Sequence, residues 1–491
     1  MLSILVAHSY FLRFDRKQAE RAKPYPPLAT LQVAAMLRRS GHAVQVFDAM
    51  LADSVADYEQ QLQRLRPQLV LLYEDSFNYL SKMCLERMRR ASCEMIALAR
   101  GCGARVLAVG SDATDAPGPY LDAGADAVLI GEGLPPLRAL TARLDADPQL
   151  SLPRLIEGLS GLASSLHGAQ EVARSAGLTV DPNGMQQPAW DLIDIERYRA
   201  VWMRAHGQFS LNMAASRGCS FRCNWCSKPI WGNKYLQRAP RDVAAEMSEL
   251  KRRFAPDHIW FADDIFGFRI DWIAEFTQAL TAADGMIPFT IQTRADLISV
   301  SMARALKQAG CAEAWLGAES GSQKILNAMN KGITVPEILT ARARLKADGI
   351  RVGFFIQIGY LGEQLDDILA TRELIEQAQP DDVGVSVSYP LPGTPFYEQV
   401  KAQLGDKTHW QESNDLEMMF HGTYASEFYR SVRELLHDQV DAQRLQAPEQ
   451  AAERARAAQS LRWRWDSLIL REPQLRRCSG ADFAASTILA V

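Results

Sequence analysis

The sequence predicts an α/β chain with two successive sheet-forming regions and a helical end, and three observations carry that reading. The first 145 residues alternate short apolar runs with amphipathic helical stretches. A second alternation of the same kind begins near Ser210 and runs to about residue 400. Beyond it the chain turns helical and charged, with Gln/Arg/Ala-rich stretches over 440–463. Strands alternating with helices imply parallel sheets covered on both faces, because every parallel pairing needs a crossover. The divisions read as 1–145, a connector over 146–205, 206–400, and 401–491.

In the first region the candidate strands are SILVAH (3–8), AVQVFD (43–48), LVLLYE (69–74), RVLAVGS (105–111) and AVLIGEG (127–133). Each is rich in Val, Ile and Leu, as strands buried on both faces are. LATLQVAAMLRRSG lies between the first two, has helical periodicity, and ends at Gly41, where a helix end favours glycine. Five strands, each followed by a helix, give a doubly wound, flavodoxin-like domain. Ligands of such sheets sit beyond the carboxyl ends of the strands. That singles out His8–Arg13, Tyr73–Asn78, Gly110–Thr114 and Gly131–Pro135. No G-x-G-x-x-G or G-x-x-x-x-G-K-[ST] loop follows the first strand, so a nucleotide is disfavoured there.

Pro153, Pro182, Asn183, Gly184, Pro188 and a Ser/Gly-rich patch near 159–168 mark the connector, which is expected to hold a little sheet or helix of its own. The second region offers LNMAAS (211–216), HIWFAD (258–263), FTIQTR (289–294), EAWLGAE (313–319), RVGFFIQIG (351–359) and GVSVSYP (384–390). Six β/α units form a curved parallel sheet, either a partial barrel or part of a full one, with chemistry at the carboxyl ends.

Composition narrows the function classes. The 491 residues are 47% hydrophobic, enough for two or three domains with sizeable cores. A net charge of −4 with 23% charged residues offers no basic surface for nucleic acid or membrane. No apolar stretch approaches the roughly 20 residues of a membrane span. MLSILVAHSYFLRF reads as a first buried strand, not a signal peptide. Eight cysteines without framework spacing suit a reducing cytoplasm.

The chemistry concentrates in RGCSFRCNWCSKP (217–229), immediately after the first strand of the second region. It places Cys219, Cys223 and Cys226 in a C-x₃-C-x₂-C spacing. Zinc wants a second such pair or closely spaced histidines, and neither is present. An iron–sulfur cluster normally takes four cysteines. Three thiolates leave one iron open for a substrate or cofactor. Cys84, Cys93 and Cys102 are evenly spaced, but SKMCLERMRRASCEMIALARGCG reads as one helix. Steps of nine residues put successive cysteines about 180° apart, so they do not converge. Cys311 reads as core packing, and Cys478 near the C-terminus would reach an active site only if the tail folds over it.

This motif, with the aromatic Trp225 before its last cysteine, resembles the signature of the radical S-adenosylmethionine (SAM) enzymes. Further segments resemble the family: GAESGSQKILNAMNKG (317–332), IQIGYLGE (356–363, with Leu361 where the family usually has Pro) and SYPLPGTPFY (388–397). The resemblance implies a partial (β/α)₆ barrel. It also implies a [4Fe–4S] cluster on the three cysteines, whose open iron holds SAM for reductive cleavage to a 5′-deoxyadenosyl radical. It makes Trp225, Arg294, Glu319, Ser320, Gln357 and Gly359 candidate SAM contacts, with Gly362 beside them. Glu319 is expected to accept from ribose hydroxyls and Arg294 to pair with the methionine carboxylate. Asp263 and Asp264 read as helix caps, and Lys331 as a solvent-facing side chain.

Residues 1–145 resemble the cobalamin-binding domains of a subgroup of the same family, through KPYPPLATLQVAAMLRRSGHAVQVFDA (23–49) and GSDATDAPGPYLDAGADAVLIGEG (110–133). Asp75, Ser76, Asn78, Gly110, Ser111, Gly131 and Glu132 are then candidate cobalamin contacts. The D-x-H-x-x-G loop that supplies a lower axial histidine in other cobalamin proteins is absent, so a histidine-free cobalamin is expected, with His8 a strand-end polar residue. The implied activity is class B-like C-methylation of an unactivated carbon of a small molecule or peptide. The alternative is radical-initiated oxidative cyclisation or rearrangement without methyl transfer. A sensor would not need an open iron, and methylthiolation would need a second three-cysteine set. An external electron donor of flavodoxin or ferredoxin type is implied. No individual catalytic side chain is singled out. Trp231, Tyr235, Tyr389 and Phe396 border the expected substrate pocket but read first as core.

Overall fold

Alternate residues of each strand in the first region bury into two separate apolar cores, and this is what makes the sheet doubly wound. The computed structural model describes residues 1–78, 85–166, 187–226, 234–405, 416–445 and 447–477. Strands β1 (Ser3–Ala7), β2 (Ala43–Phe47), β3 (Leu69–Tyr73), β4 (Arg105–Val109) and β5 (Ala127–Leu129) are parallel, in the order β2-β1-β3-β4-β5. That is the flavodoxin-like order. Ile4, Val6, Leu69 and Leu71 face the helices Leu28–Arg39 and Leu134–Ala146. Leu5, Ala7, Val70 and Leu72 face the helices Val55–Leu65 and Glu86–Gly101. Gly41 follows the first of these helices with φ 88°, the left-handed turn expected of it.

The connector adds the short strand β6 (Leu162–Ala163), antiparallel to β5, and the helix Ile195–His206. Pro182, Asn183 and Gly184 lie outside the described residues, as do Cys84, Trp231, Cys478 and the last fourteen residues of the chain.

The second region opens with β7 (Ser210–Met213). It is followed by β8 (Ser216–Gly218) and β9 (Tyr235–Gln237), which form an antiparallel pair of their own. The remaining strands are β10 (His258–Phe261), β11 (Phe289–Thr293), β12 (Cys311–Glu319), β13 (Arg351–Ile358) and β14 (Asp382–Val387). The parallel sheet runs β14-β13-β12-β11-β10-β7, with neighbours in chain order and β7 and β14 left as edges. This is a curled, open half-barrel of six β/α units. The expected single strand over 211–216 is broken at Ala214–Ala215, where the chain leaves the sheet.

One apolar core continues from a face of the first sheet into the half-barrel: Leu31 and Leu137 belong to it together with Leu211 and Ile259. The helix Ser426–Arg444 packs on β14 and on the helix Leu365–Ala378, and the helix Ala451–Leu475 packs on Ser426–Arg444. Among the described residues no helix is long and apolar enough to cross a membrane.

Candidate active site at the carboxyl ends of the second sheet

The three-cysteine loop is held at its base by a buried carboxylate. Asp263, just past β10, accepts from the Ala215 amide at 3.0 Å and from Ser216 Oγ at 2.5 Å. These bonds turn the chain out of β7 and into β8. Burial pushes the Asp263 carboxyl up to about 7. The helix-cap expectation for Asp263 fails, because the next helix starts at Ile270 and its preceding residue is Arg269. Gly218, with φ 72°, then delivers the chain to Cys219.

Cys219, Cys223 and Cys226 are all half-buried and free of disulfides. Between them Asn224 ties the loop to the segments that follow β12, β13 and β14. Its amide donates to the Met329 carbonyl at 3.1 Å and its Nδ2 to the Ala328 carbonyl at 2.6 Å. Its Oδ1 accepts from Tyr360 Oη at 2.8 Å, and its carbonyl accepts from the Phe396 amide at 3.0 Å. Phe396 is buried and stacked on Tyr360, Tyr235 stacks on Phe268, and Tyr389 packs against the core, so all three serve packing.

Two cations flank the loop. Lys331 is buried and donates to Glu319 Oε1 at 2.6 Å, which corrects its assignment to solvent. Burial alone would lower the Lys331 ammonium. The Glu319 charge and the Cys223 thiolate outweigh it and hold the group above its ordinary value. Glu319 ends β12 in the left-handed region, φ 61°, and is equally buried. Gly317 makes room for the pair: a Cβ there would lie 2.6 Å from Lys331 Nζ and 2.7 Å from Glu319 Oε1. Lys331 Nζ also stands 5.8 Å from the centre of the Trp225 ring, whose Nε1 is buried without a partner.

Arg294 is the second cation, and its guanidinium is mostly committed. Nε donates to Asp296 Oδ1 at 2.9 Å, and Nη2 donates to Asp296 Oδ2 at 3.2 Å and to the Lys331 carbonyl at 2.8 Å. Nη1 points to Cys223 Sγ at 3.8 Å. Of five N–H donors, one on Nη1 remains for a methionine carboxylate. Ser320 Oγ faces Thr371 Oγ1 at 3.2 Å and accepts from the Ser322 amide at 3.1 Å, so it braces the loop behind β12. Gln357 Oε1 is buried without a partner on β13. Gly359 and Gly362 have φ 76° and 77°. The Gly359 amide donates to Glu363 at 2.5 Å, and burial pushes that carboxyl up to about 8. The sequence reading passed over Glu363, although it ends the quoted IQIGYLGE.

The candidates of the first region gather at the carboxyl ends of β3, β4 and β5. Asp75 Oδ1 accepts from the Ala29 and Phe77 amides at 3.0 and 3.2 Å, and the Asn78 amide donates to the Asp75 carbonyl at 3.1 Å. Ser76 Oγ is buried with no hydrogen bond. Gly110 leaves room for Glu74, whose Cγ would stand 2.9 Å from an added Cβ. Ser111 opens the short helix Ser111–Asp115, and the Gly131 amide, at φ 68°, donates to Thr114 Oγ1 at 3.0 Å. His8 is turned into the fold: its Nε2 accepts from the Ala49 amide at 3.0 Å and lies 3.1 Å from Asp48 Oδ1.

Glu132 faces the second region. Its carboxylate binds Arg217 Nη1, and Arg217 Nη2 binds Gln32 Oε1. Arg217 and Glu132 are buried, and the guanidinium lies over the Phe77 ring at 5.2 Å. Glu132 is therefore engaged with the chain itself and not simply presented to a ligand. Arg217 was visible in the motif as its first letter, but nothing local marked its partner.

The donor sets fit the implied groups. Among the described residues no cluster of His, Cys, Asp or Glu is arranged to hold a single metal ion. A polynuclear cluster places each thiolate on a different iron, so its sulfurs stand further apart than those around one ion. The unpartnered Gln357 Oε1 at the end of β13 and the unpartnered Trp225 Nε1 in the thiol loop suit a polar cofactor next to the thiols. The unpartnered Ser76 Oγ and the glycine-lined first edge suit a second one.

An open parallel half-barrel with three thiols after its first strand defines the class. Residues 213–375 match the Radical SAM superfamily, and this stretch is a radical SAM domain. The chain is 26% identical over 376 residues to an uncharacterized methyltransferase, PH0819, of Pyrococcus horikoshii, covering 76% of the chain and 78% of the relative. It is 22% identical over 396 residues to an anaerobic magnesium-protoporphyrin IX monomethyl ester cyclase of Rubrivivax gelatinosus, covering 79% and 68%. Its fold matches the cobalamin-dependent SAM radical enzyme OxsB with aqua-cobalamin and SAM bound, at TM-score 0.68 and 16% identity over 96% of the chain and 72% of that protein. It also matches the radical SAM methyltransferase TsrM of Kitasatospora setae with cobalamin and a [4Fe–4S] cluster bound, at TM-score 0.63 and 19% identity over 81% and 74%.

Proposed function

We propose that the chain is a cobalamin-dependent radical SAM methyltransferase acting on an unactivated carbon of a small molecule or peptide. One observation carries this reading: Arg217, two residues before the first cluster thiol, is buried against Glu132 and Gln32 at the carboxyl edge of the first sheet. The two candidate cofactor sites therefore adjoin. In this reading residues 1–145 bind cobalamin, 146–205 connect, 206–400 carry the cluster and SAM, and 401–491 help enclose the substrate.

Cys219, Cys223 and Cys226 hold the cluster. Trp225, Gln357, Gly359 and Glu319 border SAM, with Ser320 bracing the loop behind them. Asp75, Ser76, Asn78, Gly110, Ser111 and Gly131 line the cobalamin side, with Glu132 at its margin. When bound, these groups supply reductive cleavage of SAM and a transferable methyl group. The chain's own part is to orient the cofactors and to exclude water. Lys331 holds Glu319 in place, Asn224 fixes the thiol loop, and Met418 and Tyr429 pack against Gly359. The electron donor is external, and the compartment is the cytoplasm.

The test is anaerobic reconstitution with iron, sulfide and hydroxocobalamin, followed by turnover with methyl-labelled SAM and a strong reductant. Formation of S-adenosylhomocysteine together with 5′-deoxyadenosine is expected, with label on the retained cobalamin. The cyclase relative supports a second reading, oxidative cyclisation, and 5′-deoxyadenosine without S-adenosylhomocysteine would establish it instead. A protein that retains no cobalamin would overturn both.

A further inference from the structure

The geometry points to Arg294 as a positioning residue of the thiol site: it donates to the Cys223 thiolate and thereby raises the reduction potential of the iron–sulfur group held there. The inference rests on the cluster assignment made above and adds to it a determinant of the cluster's potential. Arg294 is 5% exposed, so its charge is poorly screened by water. Asp296 grips it through two bonds and the Lys331 carbonyl through a third, which fixes the guanidinium plane. That plane lies over Phe221 at 3.7 Å, and Phe221 is itself part of the thiol loop, between Cys219 and Cys223. The result is an N–H directed at Cys223 Sγ, 3.8 Å away.

Hydrogen bonds and positive charge at cluster sulfurs stabilise the more negative, reduced state and so raise the potential. A residue placed to bind a carboxylate would present an open two-pronged fork. Here that fork already holds Asp296. Lys331, the other nearby cation, is spent on Glu319.

The experiment uses the reconstituted full chain. Iron content, Mössbauer spectra and a potential titration followed by electron paramagnetic resonance (EPR) are compared for wild type, Arg294→Gln and Arg294→Lys. The expected result is a cluster of normal iron content in Arg294→Gln with a potential below wild type, and a smaller drop in Arg294→Lys. An unchanged potential accompanied by weaker SAM binding would overturn the inference in favour of carboxylate binding. Should Arg294→Gln fail to load iron, wild-type protein grown on ¹⁵N-arginine gives an independent reading. A nitrogen coupling to the reduced cluster by pulsed EPR supports the bond, and its absence overturns it. A wild-type protein with no [4Fe–4S] spectrum would instead refute the cluster assignment itself.

Discussion

Glu74, at the carboxyl edge of the first sheet, and Glu319, at that of the second, are both buried carboxylates, but they are stabilised differently. At the first edge Glu74 is surrounded by neutral donors: the Ser9 amide at 3.1 Å and Ser9 Oγ at 2.6 Å, with Ser92 Oγ beyond. Burial pushes its carboxyl above the ordinary range. At the second edge Glu319 is matched by the full charge of Lys331, and Arg294 stands beside the same thiol loop. The difference between these two carboxylates follows the chemistry proposed beside each. A bulky cofactor bound by shape needs glycines and short polar groups. Thiolates, an iron–sulfur cluster and an amino-acid carboxylate gather negative charge that only buried cations offset.

The contrast can be broken at several points. The largest effect is expected from replacing Cys219, Cys223 and Cys226 together by Ala: iron binding and SAM cleavage are abolished, as read by iron analysis and 5′-deoxyadenosine formation, while the fold survives by circular dichroism. Next is Lys331→Met, which leaves Glu319 buried without its partner. A loss of about 3–5 kcal/mol is expected in denaturant unfolding, and a loss under 1 kcal/mol would show that the pair is not a buried ionic one. Gly321→Ala puts a Cβ 2.1 Å from the Ala370 carbonyl oxygen. It should cost about 1–3 kcal/mol in the same assay and lower SAM affinity through displacement of the neighbouring Glu319–Ser320 turn.

Asp263→Asn tests the base of the loop by its pH dependence. A carboxyl raised to about 7 on folding binds more protons in the native state than in the unfolded one. Its contribution is complete below the ordinary carboxyl range and is lost as pH rises towards 7, at no more than about 1.4 kcal/mol per pH unit. Asn keeps an acceptor for Ala215, so the variant should show a flatter stability profile between pH 4 and 7. An unchanged slope would mean that Asp263 ionises normally. Smallest of all is Glu74→Gln. Its hydrogen-bond donors are neutral and the charge nearest it is that of His8, so the amide should cost within about 1 kcal/mol, against the several expected at Lys331.

Most of the strands were legible because buried parallel strands write themselves as short apolar runs, and the half-barrel's strand ends fell within a few residues of expectation. The break after Met213 was not legible. It depends on Asp263, which the chain brings to Ala215 only after β10 has formed. Lys331 looked solvent-facing because the sequence does not show that the helix Gln323–Ala328 returns it to Glu319. Arg294 looked like a free fork because Asp296, two residues on, is an ordinary loop acid until the turn after β11 folds it back. The thiols themselves were plain, since their meaning lies in spacing along the chain. The residues around them were not, since theirs lies in partners tens of positions away.

Arg217 sets a limit on modular engineering of this chain. A radical SAM barrel cut away at its linker, or grafted behind a different amino-terminal module, would carry an uncompensated guanidinium into its interior at the root of its metal-binding loop. The two halves are keyed to each other at that residue. A chimera should accept iron only if the incoming module supplies an acid and an amide where Glu132 and Gln32 now stand.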